Sequence, residues 1–80
     1  MNEAKQEASN AVVKHSLAIA GHRTSVSLEA AFWEELKGIA NTRGESVASI
    51  IASIDAGRGG ANLSSAIRVF VLREATQLKR

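Results

Sequence analysis

Arg23, Ser25 and Ser27 stand two residues apart, and in an extended segment that spacing puts all three on one face. Together they offer a guanidinium fork and two hydroxyls. The fork presents several N–H donors in a fixed plane, and each hydroxyl can donate or accept. Such a set suits a planar array of acceptors or an anion. It does not suit catalysis, because no serine of the chain is matched with a general base and an orienting acid; no catalytic residue is expected. His15 and His22 are the two histidines and there is no cysteine. Zinc takes three or four ligands, so neither a metal site nor a cofactor is expected, and His22 reads as a turn residue or an extra anion contact. Gly57-Arg58-Gly59-Gly60 lacks the preceding strand and the following Lys-Ser/Thr pair of a phosphate loop, and reads as a linker.

The residues between the three carry the structural half of the pattern. Thr24, Val26 and Leu28 point to the opposite face, which makes Arg23–Leu28 a strand with one buried side. A lone strand cannot satisfy its own backbone, so this one needs a partner strand. Upstream, Leu17 and Ile19 alternate with small residues, but in odd phase where Thr24, Val26 and Leu28 are even. A bulge near Gly21 repairs the phase. So does a two-residue type II′ hairpin turn at Gly21-His22, which pairs Ile19 with Thr24 and Leu17 with Val26. From Glu29 onward the period is helical. Phe32, Leu36, Ile39 and Ala40 make one stripe of a helix from Glu29 or Ala30 to Arg43, stopped at Gly44. Ser46 caps a second helix over Val47–Ala56, with Ile50, Ile51 and Ile54 on its apolar side. Asn62 opens a third that runs from Leu63 toward Leu78.

Composition fits one small domain. The chain has 80 residues, 45% of them apolar, and a net charge of +2. Residues 1–28 sum to +1, with no acid between Ala8 and Leu28; residues 29–57 sum to −3 and residues 58–80 to +4. The strand region can therefore face phosphate without repulsion, whereas a broadly basic surface is excluded. No apolar run approaches the roughly 18 residues of a membrane span, and the start of the chain lacks the pattern of a signal peptide. The expectation is a cytoplasmic protein with a flexible arm over 1–13, a domain over 14–57, a linker over 58–61 and an amphipathic C-terminal helix over 62–80.

Arg23-Thr24-Ser25-Val26-Ser27-Leu28, followed by Phe32, by Leu36 with Ile39-Ala40, and by Gly44-Glu45-Ser46 opening a helix with Ile50, Ile51 and Ile54, resembles the ribbon-helix-helix family of DNA-binding proteins, of the MetJ and Arc type. The likeness runs over about residues 23–54. The longer string from Ala20 to Glu29, with Phe32-Trp33 and Asn62-Leu63-Ser64-Ser65-Ala66, is similar to a small bacterial branch of it. The resemblance implies a mainly α fold with a short β-ribbon, built as an intertwined homodimer, with the third helix added at the C-terminus. Each subunit's strand then pairs with its twin, and the two-stranded ribbon enters the major groove of double-stranded DNA. Arg23, Ser25 and Ser27 become the base-reading residues of a transcriptional regulator. Ser46 and Val47 at the second helix start, helped by Arg43, Lys37 and His22, become phosphate contacts, although Glu45 departs from what a phosphate site wants. Val26, Leu28, Phe32, Leu36, Ile39, Ile50, Ile51 and Ile54 form the expected dimer core. The other reading is a protein-interaction module, antitoxin-like, docking a protein partner through Leu63, Ile67, Phe70 and Val71 with little or no DNA binding.

Overall fold

The computed structural model describes residues 10–78. Residues 1–9 of the expected N-terminal arm lie outside the described residues, as do residues 79 and 80. The elements run β1 (Val12–Ile19), β2 (His22–Glu29), α1 (Ala30–Arg43), α2 (Val47–Gly57) and α3 (Leu63–Leu78). The fold is thus mainly helical with a short antiparallel ribbon. Strand β1 starts earlier than position 14, because Val12 and Val13 pair with Glu29 and Leu28.

The ribbon is a hairpin within one chain. Its turn is Ala20-Gly21, with φ of 51° and 82°, and both values belong to a type I′ turn, whose twist matches that of the flanking strands. The expected turn at Gly21-His22 is corrected by one position. Ile19 therefore faces His22 and Leu17 faces Thr24, a register two residues away from Ile19 with Thr24 and Leu17 with Val26. The observed register brings Val12 and Val13 into the ladder, giving eight paired positions on each strand. A shift of two preserves side-chain phase, so Leu17, Ile19, Thr24, Val26 and Leu28 still share one face. No bulge is needed.

The strand passes into α1 without a side-chain cap at Glu29. Instead the Ala30 N–H donates to the Ala11 carbonyl at 2.8 Å, so the start of the first strand satisfies the start of the first helix. Helix α1 ends where Gly44 takes φ 68°, with the Glu45 N–H on the Ala40 carbonyl at 3.0 Å. Ser46 then caps α2 by accepting the Ser49 N–H at 3.0 Å, and Asn62 does the same for α3 through the Ser65 N–H at 3.1 Å. Each cap satisfies an orphan donor and contributes about 1 kcal/mol.

The core lies between the ribbon's underside and the three helices. Leu28, Leu36, Ile51, Ile67 and Val26 are its fully buried members, joined by Ile19, Ile39, Ala40, Ile50 and Val71. Of the residues expected in a dimer core, Val26, Leu28, Leu36, Ile39, Ile50 and Ile51 are buried within this one chain, and Phe32 and Ile54 are half-buried against them. The apolar face of α3 divides. Ile67 and Val71 turn into the core, which removes them from any surface for a protein partner, while Leu63 and Phe70 are half-buried beside them. Val69 and Leu72 of that helix are exposed, 48% and 63% accessible.

Candidate nucleic-acid interface

The ribbon's outer face is the surface that the sequence pattern points to. Arg23, Ser25 and Ser27 are all exposed on it. Opposite them on β1 stand Ala18, Ser16 and Lys14, in that order, and these are exposed as well. The middle of the face is therefore small and hydroxylated, with a cation at each of two diagonal corners. Lys14 and Ser16 were legible in principle: once Leu17 and Ile19 are assigned to the buried side, the even-numbered residues of that segment must face outward.

Glu29 is the acid on this face, across from Val12. Its carboxylate accepts from Arg68 of α3 through Nε at 2.9 Å and Nη2 at 3.3 Å. That two-pronged contact holds the Glu29 carboxyl below its ordinary range, with its own backbone N–H adding to the effect and partial desolvation opposing it. The pair balances the acid at the ribbon's end and ties α3 to β2. Arg68 also lies 6.0 Å from the Phe32 ring centre.

Beneath the ribbon, His15 stacks on Trp33 with ring centres 3.7 Å apart and planes 7° from parallel. Both rings are half-buried, so Trp33 binds strand to helix and is not a free stacking platform for a base. His22 is exposed at the ribbon tip. With Arg23 and Thr24 it lines a polar cleft whose other wall holds Asp55, Arg58 and Asn62. Arg58 is engaged there by Asp55 at 2.6 Å and by the Ala61 carbonyl. Among the described residues, no cluster of three His, Cys, Asp or Glu side chains could hold a metal ion.

The second group of expected phosphate contacts is arranged differently. Ser46 is occupied in capping α2, and the Ser49 hydroxyl donates to Glu45 at 3.3 Å, which sets a carboxylate at the helix start. Arg43 pairs with Glu74 at 2.9 Å, more distantly with Glu45 at 4.0 Å, and covers the Phe70 ring at 5.3 Å. Lys37 pairs with Glu34 at 3.0 Å. Val47 is half-buried. At this helix start the cations are matched by acids, and at the ribbon tip Arg23 shares its cleft with Thr24, Ser25 and the Asp55–Arg58 pair.

The hairpin followed by two helices, with the third closing over them, defines a ribbon-helix-helix domain. A sequence model of that domain family matches residues 12–75, and the chain belongs to the family, one of DNA-binding regulators that typically dimerise. The match takes in β1 and most of α3, beyond the stretch of 23–54 on which the resemblance first rests. A solved structure, that of an uncharacterized protein from Bordetella pertussis Tohama I, is similar at 33% identity and a TM-score of 0.74. The alignment covers 88% of this chain and 60% of the Bordetella chain, so this chain spans less than two thirds of that protein. No curated protein matches.

Proposed function

We propose that this domain is a sequence-specific transcriptional regulator that lays the outer face of its β-ribbon in the major groove of DNA. The observation that carries the reading is the exposure of Arg23, Ser25 and Ser27 together on one side of a two-stranded ribbon. Strands lie about 4.8 Å apart, and a groove about 12 Å wide admits two of them. An arginine fork can bond O6 and N7 of guanine, and serine hydroxyls suit either kind of base. Phosphates flanking the groove are met first by His22 at the tip. A cytoplasmic location goes with this reading. The homodimer implied by the family stays part of this reading.

Binding to a fragment of the upstream region of its own gene, titrated with salt and challenged with competitor duplex, tests this. A complex that survives competitor and weakens with a steep salt slope is expected. Arg23→Ala should relax base preference by about 1–3 kcal/mol at one position and leave the fold intact. If that variant ranks duplexes as the parent does, Arg23 reads no base.

A second reading rests on Val69 and Leu72, which leave an apolar strip of α3 uncovered for a protein partner. Removing residues 62–80 cannot isolate that role, since Ile67 and Val71 belong to the core. Val69→Ser with Leu72→Ser addresses it, because both sites are exposed. DNA binding that persists in this double variant keeps the two roles apart.

A further inference from the structure

We infer that the polar cleft between the ribbon tip and the α2–α3 connection is a binding site for a phosphate group, and that a phosphate held there engages Arg23 and so competes with base reading. The competition rests on the DNA-binding reading above; the site itself does not.

The cleft has a volume of about 470 Å³, within the range of small-molecule sites. His22, Arg23 and Thr24 line it from the ribbon, and Asp55, Arg58 and Asn62 from the helices. Both walls are held in place. Ile19 buries the ribbon tip in the core, and Arg58 ties down the connection through Asp55 at 2.6 Å and the Ala61 carbonyl. Those two contacts use Nε and Nη1 of a guanidinium with five N–H donors, so Nη2 is left for a ligand. Asn62 is in the same position. Its Oδ1 caps α3, which leaves its amide NH2 as a donor. Asp55 is the acid of the lining, and Arg58 meets its charge. Arg23 is the cation left over, and among the described residues no acid is paired with it. Donors converging from two facing walls suit a tetrahedral oxyanion, whose oxygens point to both, better than a planar carboxylate, which one fork satisfies. No Phe, Tyr or Trp lines the cleft, so it offers no stacking surface for a base. Arg23 is also exposed on the ribbon's outer face, which makes it common to the cleft and the DNA surface. A small phosphorylated ligand and a phosphate of the DNA backbone bring the same chemistry to this site.

Inorganic phosphate titrated into the full chain without DNA tests the site, followed by NMR against sodium chloride at equal ionic strength. Saturable shifts at His22, Thr24, Arg58 and Asn62 that chloride does not reproduce are expected. Asn62→Asp keeps a good helix cap and sets a second carboxylate in the cleft, so it should keep the fold and weaken phosphate binding about tenfold or more. Shifts that chloride matches, or parental phosphate affinity in Asn62→Asp, would overturn the site. With a preferred duplex at constant ionic strength, phosphate should lower the DNA affinity of the parent and do so far less in the variant. Phosphate that binds the chain and leaves DNA affinity unchanged would overturn the sharing of Arg23. The salt slope measured without phosphate identifies the source. A slope smaller by about 0.9 per chain in Asn62→Asp assigns the cleft to the DNA backbone, and an unchanged slope assigns it to a free phosphorylated ligand; both uphold the site. A chain that binds no duplex would overturn the regulator reading and with it the competition, while the titration of the free protein would still decide the phosphate site.

Discussion

Glu29 shows at the level of one residue how an acid on the ribbon's outer face is balanced. A carboxylate beside a phosphate-facing ribbon would repel its ligand, and Arg68 engages it through two N–H donors. Because the folded-state carboxyl titrates below its ordinary range, the contact stabilises the protein above the unfolded carboxylate pKa of about 4.3. The contribution is lost as pH falls through the lower, folded value. Arg68→Ala should therefore narrow the gap between urea midpoints at pH 7 and pH 3, since the parent loses this contact on acidification and the variant has none to lose. An unchanged gap would show that the pair contributes nothing measurable, as many exposed pairs do. The same substitution should weaken DNA binding at low salt by freeing an acid on the reading face.

At the level of elements, the hairpin turn is the point of greatest leverage. Ala20 holds φ of 51° without the freedom of glycine, which costs about 1–2 kcal/mol in the left-handed region. Ala20→Asn, giving the Asn-Gly pair that type I′ turns favour, should raise the melting temperature. A gain of about 1 kcal/mol corresponds to roughly 4–8 °C in a domain of this size. Gly21→Val should lower it, through backbone conformation alone, since a Cβ at Gly21 meets nothing within 4 Å. The helix boundaries follow directly from periodicity and caps: Gly44, Ser46 and Asn62 sit where the chain turns. The turn position did not follow, because glycine suits the first site of one hairpin turn and the second site of another. Only the gain of Val12 and Val13 in the ladder distinguishes them, and those two residues lie in a stretch whose composition reads as an arm.

At the level of the whole molecule, the core explains what the amphipathic stripes alone leave open. A stripe such as Leu36-Ile39-Ala40 states that a face is covered but not by what. Here β2, α2 and α3 of the same chain cover it, with Ile67 and Val71 packed in one cluster with Leu28, Leu36 and Ile51. Ile67→Ala should accordingly cost about 2–5 kcal/mol, whereas Leu72→Ala, at an exposed position, should stay within about 0.5 kcal/mol. The candidate interface was legible in part for the same reason. Arg23, Ser25 and Ser27 need only a local period of two, but their neighbours Lys14 and Ser16 depend on a register that side-chain phase fixes only to within two residues.

Backbone amide shifts followed by NMR as a preferred duplex is added test the central claim most directly. The account predicts that the largest changes fall on Lys14, Ser16, Arg23, Ser25 and Ser27, with His22 among them and Val69 and Leu72 unmoved. Changes concentrated on Val69 and Leu72 of α3, with the ribbon silent, would contradict it.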